Sequence, residues 1–138
     1  MRDTAYIALG SNLGDRAAYL AGARTALAAL PDSRLLAAST VEETAPIGDV
    51  PQGPYLNQMV ALETSLSPRE LLVALQRIEQ QADRQRQQHW GPRTLDLDIV
   101  LFERQMVAEP DLTIPHPQLP HRDFWRRELV ELRAEVAR

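Results

Sequence analysis

Asp96 and Asp98 stand two residues apart in the run Thr94-Leu95-Asp96-Leu97-Asp98-Ile99-Val100-Leu101-Phe102. Side chains on a strand alternate between faces. An extended run from Leu95 therefore sends Leu95, Leu97, Ile99 and Leu101 to one side, a core, and Asp96 and Asp98 together to the other, with Val100 and Phe102 further along. Two like charges at that spacing repel each other, and a partly buried pair needs cations. Mg²⁺ suits the pair, because this hard ion binds through one or two carboxylates plus the phosphates of a substrate. A solvated strand face is the plain alternative. The residues just before the pair weigh against it. From Arg84 to Thr94 there is no acid, while Arg84, Arg86 and Arg93 supply positive charge around Trp90. An acidic pair beside a basic segment is the equipment of phosphate transfer from a nucleotide. Metal bridges the phosphates, and arginine forks neutralise the charge that develops. The indole ring offers a surface on which a flat heterocycle can stack.

Other single residues carry weaker signals. Gly10-Ser11-Asn12-Leu13-Gly14-Asp15 follows a strand-like run and could cradle phosphate on backbone N–H groups, but it reads better as a tight strand-to-helix turn. Asn57, near the start of another strand, can offer both a donor and acceptors to a ring edge, or can serve as a strand-end cap. Gln76 and Glu79 are three apart and neighbour each other on a helix surface, which leaves open whether they bind a ligand or face water. His116 is held between Pro115 and Pro117.

The run Trp90-Gly91-Pro92-Arg93-Thr94-Leu95-Asp96-Leu97-Asp98 resembles the signature of 6-hydroxymethyl-7,8-dihydropterin pyrophosphokinase, a folate-pathway enzyme, and the resemblance extends from Tyr6 to about Phe124. It implies transfer of pyrophosphate, as one unit, from ATP to the hydroxymethyl oxygen of the pterin, with AMP leaving. By the same resemblance, two Mg²⁺ ions are held by Asp96 and Asp98, and Arg84 and Arg93 contact phosphates and stabilise the transition state. The positions matching the ATP site are Gln76, Glu79, Arg84, Arg93, Ile99, Thr113, His116 and Arg122. Those matching the pterin pocket are Thr44, Pro46, Ile47, Tyr55, Asn57, Trp90 and Phe124, with Trp90 and Phe124 sandwiching the ring. The sequence departs from the family pattern at Ala45, where a second proline is common. It departs again at His89, where arginine often precedes the tryptophan, and in a segment between Arg86 and Trp90 one residue shorter than in some relatives. After Phe124 the polar Trp125-Arg126-Arg127-Glu128 replaces an apolar strand, and the chain stops early. The alternative to an active pyrophosphokinase is a divergent paralogue that binds pterin or nucleotide with weak or no turnover; a binding module with an inherited motif is a third reading.

The elements that must position these residues follow from periodicity and punctuation. Thr4–Leu9 reads as a strand, and Arg16–Leu30 as an alanine-rich helix with Tyr19, Leu20, Ala23, Leu27 and Leu30 on one stripe, stopped by Pro31-Asp32. Residues 35–44 read as a second strand. Ala45–Pro54, with three prolines and two glycines, is a stiff loop suited to a binding lip. Tyr55–Leu66 is a third strand, with Tyr55, Asn57, Met59, Ala61 and Glu63 on one face and Leu56, Gln58, Val60 and Leu62 on the other. Ser67-Pro68-Arg69-Glu70 opens a helix that runs to about Ala82, with Leu71, Leu72, Leu75 and Ile78 as its buried stripe. After the acidic strand, 103–109 forms a turn and short strand. The proline-rich segment 110–120, which holds Thr113 and His116, is irregular, and 121–138 is a weakly amphipathic helix carrying Phe124, Leu129 and Leu132.

Strand, helix, strand, strand, helix, strand implies an α+β sandwich with a mainly antiparallel sheet and its helices packed on one face. This agrees with the ferredoxin-like core that the resemblance implies. The 138 residues make one domain, with 44% hydrophobic and 25% charged residues, an ordinary balance for a globular protein. A net charge of −4 argues against general nucleic-acid binding. No cysteine is present, which excludes a thiol nucleophile. No lysine is present either, so a Walker A loop is excluded. The expected partners are small molecules. With no apolar run of spanning length, the expectation is a cytoplasmic monomer without nucleic-acid or membrane partners.

Overall fold

The computed structural model describes residues 2–45, 53–83 and 94–138. Its order is β1 (Asp3–Ser11), α1 (Arg16–Ala28), β2 (Ser33–Ala38), β3 (Glu42–Thr44), β4 (Tyr55–Thr64), α2 (Pro68–Asp83), β5 (Asp96–Phe102), β6 (Val107–Glu109), β7 (Leu112–Ile114), a 3₁₀ turn (Leu119–His121) and α3 (Asp123–Val136). The main sheet runs β2-β4-β1-β5, every pairing antiparallel, with β3 on the same edge of β4 as β2. With β2 and β3 counted as one interrupted strand, this is the ferredoxin-like order. Among the described residues no helix is long and apolar enough to cross a membrane.

The two faces of the sheet are separate cores. Ile7, Leu9, Val60, Leu62, Leu97 and Ile99 face α1 and α2, packing with Leu20, Leu27, Leu71 and Leu75. Tyr6, Ala8, Met59, Ala61 and Val100 face the opposite way and pack with Trp125, Leu129 and Leu132 of α3. The strand faces read from Tyr55 to Glu63 are thus borne out. The expectation that all helices share one face is not: α3 covers the second face. Its Trp125 and Glu128 are buried, although the sequence around them reads as polar.

Local chemistry explains the element boundaries. Asp15 caps α1, its carboxylate accepting from the Ala18 amide at 3.1 Å. The preceding Gly14 takes a φ of +72°, where a side chain would be strained. At α2 the serine and glutamate satisfy each other's backbone as the sequence leads one to expect: Ser67 Oγ accepts from the Glu70 amide at 3.1 Å, and Glu70 Oε1 from the Ser67 amide at 2.8 Å.

Three expectations are corrected. The strand expected over 35–44 is two strands, because Ser39 interrupts it. There the Ser39 hydroxyl accepts from the Met59 amide at 2.9 Å in place of a backbone partner. The segment expected to be irregular contains β7, which pairs with β6 as a hairpin. In β5 the strict alternation fails. Ile7 pairs with Ile99 but Tyr6 with Leu101, so Val100 is an extra residue, a β-bulge. The bulge turns Phe102 into the α1/α2 core and moves Leu101 to the α3 side, the reverse of the faces expected for that pair.

Candidate functional site

The bulge lies beyond the acidic pair, so Asp96 and Asp98 keep the alternation and both project on the α3 side, half-buried. Register places them against small residues of β1. Asp96 is opposite Gly10, which in turn is opposite Asn57; Asp98 is opposite Ala8, which is opposite Met59. A glycine and an alanine between longer neighbours leave a trough across the middle of the sheet. A Cβ at Gly10 would stand 3.4 Å from the Tyr55 ring and 3.5 Å from Asn57 Oδ1, closing part of it.

This trough is the floor of a hollow of about 200 Å³. One wall is Thr44, Ala45, Tyr55 and Asn57; the opposite wall is Arg122, Phe124 and Trp125 from the start of α3; Asp96 and Asp98 edge the floor. Asn57 Nδ2 donates to Thr44 Oγ1 at 2.6 Å, which fixes the amide and uses one of its two N–H donors. The Tyr55 hydroxyl reaches Asp96 Oδ2 at 3.5 Å. The Arg122 guanidinium lies 4.4 Å from the centre of the Trp125 ring, a cation–π contact at the rim. His116 stands beside Asp98, with Nε2 3.7 Å from Asp98 Oδ1. Its Nδ1 accepts from the Gln118 amide at 3.0 Å, its own amide donates to the Val100 carbonyl at 2.8 Å, and its ring meets Trp125 edge-on at 5.0 Å. With Nδ1 an acceptor, the neutral ring carries its proton on Nε2, toward the carboxylate.

Of the residues singled out from sequence, Thr44, Tyr55, Asn57, Asp96, Asp98, Arg122 and Phe124 line this one hollow, with His116 adjoining it. Others lie apart from it. Gln76 is exposed on α2, Ile99 is buried in the α1/α2 core, and Thr113 is exposed on β7, its hydroxyl bonded to the Glu109 carbonyl at 3.3 Å. Pro46, Ile47, Arg84, Arg86, His89, Trp90 and Arg93 lie outside the described residues. Sequence reasoning missed Ala8, Leu9, Gly10, Ala45 and Trp125 as lining residues. Their contribution depends on cross-strand register and on where α3 docks.

Glu79 acts on the acidic strand from behind. Its Oε2 accepts from the Leu97 amide at 2.8 Å, so α2 grips the backbone between the two aspartates. Glu79→Ala removes a charged acceptor from a part-buried amide and is expected to cost about 1.5–3 kcal/mol. Denaturant unfolding and hydrogen exchange at the Leu97 amide check this. Wild-type stability with unchanged protection would show that the contact is dispensable.

The donor chemistry of the hollow is hard oxygen. Among the described residues no group of three or more metal-ligating side chains comes together, so the candidate donors are the pair Asp96 and Asp98. Paired carboxylates without sulfur fit Mg²⁺, which keeps several waters and shares its coordination with substrate phosphates.

The family model for 7,8-dihydro-6-hydroxymethylpterin-pyrophosphokinase matches residues 6–134. The chain belongs to this family. Among its relatives, the 2-amino-4-hydroxy-6-hydroxymethyldihydropteridine pyrophosphokinase of Bacillus subtilis is 43% identical over 136 residues, which is 99% of this chain and 81% of the relative. The protein of the same name from Haemophilus influenzae is 41% identical over 133 residues, 96% of this chain and 83% of the relative. The one from Aquifex aeolicus is 37% identical over 133 residues, 96% of this chain and 82% of the relative. Pyrophosphokinase relatives thus align across the β1, β4 and β5 strands that form the floor, and across the first turn of α3 that forms the far wall.

Proposed function

We propose that this pyrophosphokinase-family protein transfers the β,γ-pyrophosphoryl group of ATP to the hydroxymethyl oxygen of 6-hydroxymethyl-7,8-dihydropterin, in folate biosynthesis. The new bond joins that oxygen to the β-phosphorus. The bond broken joins the β-phosphorus to the oxygen bridging it to the α-phosphate. AMP, the pterin diphosphate and one proton result. The observation that carries this reading is that one hollow joins Asp96 and Asp98 to an amide-and-aromatic wall. Phosphates would meet the carboxylate side and a flat ring the other.

The residues then divide as follows. Asn57 spends one of its two N–H donors on Thr44, which holds the amide in place; Oδ1 and the second N–H remain to meet the donor and acceptor edge of the pterin. Thr44, Pro46, Ile47 and Tyr55 shape that pocket, and Phe124 and Trp90 stack on the ring faces. The family resemblance gives Gln76, Glu79, Ile99, Thr113, His116 and Arg122 to the nucleotide; of these, Arg122 lines the hollow, His116 adjoins it, and Glu79 holds the backbone of the acidic strand from the other face. Arg122, steered by the Trp125 ring, directs its charge to the phosphates. Arg84 and Arg93 add planar forks that strengthen as charge develops on the transferring group. Mg²⁺, held by Asp96 and Asp98, supplies Lewis-acid neutralisation of the phosphate oxygens when bound. His116 Nε2, 3.7 Å from Asp98 Oδ1, also orients that carboxylate.

The reading is tested by incubating the protein with ATP, Mg²⁺ and the hydroxymethyl dihydropterin and resolving the nucleotides by chromatography. AMP in step with pterin consumption is the expected result. ADP, or no nucleotide product at all, would overturn it. ATP and pterin binding without turnover would instead favour the divergent paralogue.

A further inference from the structure

Helix α3 carries one wall of the hollow at its start, made by Arg122, Phe124 and Trp125, and one turn later it buries a carboxyl group that nothing in the reaction uses. Glu128 is 2% exposed, and both its side-chain oxygens are buried without a hydrogen-bond partner among the described residues. Helical spacing explains why it points inward: Trp125, Glu128, Leu129 and Leu132 are i, i+3, i+4 and i+7 of one stripe, and all four are buried against the sheet. An apolar residue would serve that stripe better. A buried carboxylate with no partner is prohibitively costly, so the docked helix demands the neutral acid.

The charged neighbours give the carboxylate no refuge. Across from α3, β2 and β4 present Leu36, Ala37, Met59 and Ala61, which are uncharged. From β3 comes Glu42, another acid, already paired with Arg127 at 3.0 Å. On α3 itself, Glu131 is held by the Thr40 amide at 2.9 Å and hydroxyl at 3.0 Å. Further along the helix Arg133 pairs with Glu103 at 2.6 Å and lies over the Tyr6 ring, and the 3₁₀ turn before the helix ends in His121. Among the described residues, the charged groups that act on Glu128 are two acids, Glu42 and Glu131, and Arg127, which is committed to Glu42.

We propose that Glu128 is a proton-controlled latch, a neutral acid while α3 is docked, whose ionisation loosens the helix that holds Arg122, Phe124 and Trp125 against the hollow. Burial first, then the Glu42 carboxylate, and to a smaller extent Glu131, raise its pKa from 4.5 to about 8, while Arg127 pulls it down by less than Glu42 pushes it up. The sign follows. Between those values the docked state keeps a proton that the undocked or unfolded state releases. Docking is therefore strongest in acid, weakens as pH rises from about 4.5, and stops weakening above about 8. The inference concerns the helix itself and holds whatever reaction the hollow performs.

The test compares the whole wild-type protein with Glu128→Gln, which has no proton to lose, by hydrogen exchange of the α3 amides and by urea unfolding between about pH 5.5 and 9. The ratio of wild-type to variant exchange rates in α3, and the ratio of their unfolding equilibrium constants, should each climb by up to about tenfold per pH unit and level off above about pH 8. Ratios that stay constant across the range would overturn the latch, and so would a slope in global unfolding without one in α3 exchange. A measurement on the wild type needs no variant. With 19 acidic residues in the chain, the infrared spectrum at neutral pH should retain one protonated carboxyl band that disappears in mild alkali. A spectrum showing only carboxylates at neutral pH would contradict the proposal.

Discussion

Asp96→Ala and Asp98→Ala are each expected to cut AMP formation by on the order of 10³-fold, because under the proposed function each removes one of the two carboxylates that would hold Mg²⁺ and with it several kcal/mol of charge neutralisation on the triphosphate. The fold should survive. Both side chains are half-buried at the edge of a hollow and neither belongs to a core, so melting temperatures without Mg²⁺ should stay within about 3 °C of wild type. The two measurements must be made together. Lost turnover with an intact melting curve assigns the aspartates to chemistry, whereas a parallel collapse of both would make them structural. Near-wild-type turnover in both variants would end the metal assignment.

Trp125→Ala carries the largest expected cost in stability. The indole is 2% exposed at the centre of the α3-side core, edge-on to His116 at 5.0 Å and to Phe124 at 6.4 Å, with Arg122 over its face at 4.4 Å. Truncation to a methyl group should cost about 3–5 kcal/mol, a drop of roughly 10–15 °C in melting temperature for a chain of this size. It should also free His116 and Arg122, so pterin and nucleotide binding should weaken even below the new melting point. Trp125→Phe keeps a ring in place and should lose much less. A melting temperature for Trp125→Ala within about 2 °C of wild type would show that α3 is not a load-carrying part of the second core.

These three residues mark what a sequence can and cannot reveal. Asp96 and Asp98 were legible because strand periodicity alone puts them side by side, and because the Trp90–Asp98 run is long and specific. The capping box at Ser67 and the two faces of β4 were legible for similar local reasons. Trp125 was not. It sits in the run Trp125-Arg126-Arg127-Glu128, where three charged residues hide the stripe. Only docking against β4 and β2 shows that Glu128 goes inward while Arg126 and Arg127 stay out. The bulge at Val100 was equally hidden. Nothing in Ile99-Val100-Leu101-Phe102 announces that one residue is skipped, since all four are apolar and fit either core. Ser39 broke a strand through a side-chain bond to a partner 20 residues away, a non-local cause that no window of sequence contains. The trough itself is a property of register: Gly10 and Ala8 matter because of what stands opposite them, and the sequence offers them only as the end of a strand and the start of a turn.

The central claim is that phosphorus moves as a two-phosphate unit from ATP to the pterin at this hollow. ATP carrying its label on the β-phosphate tests it most directly. In a single turnover with the hydroxymethyl dihydropterin and Mg²⁺, the β-label should appear in the pterin product in full, one label per AMP formed. Label left on a nucleotide while the pterin is phosphorylated would mean transfer of the γ-phosphate alone and would contradict the account.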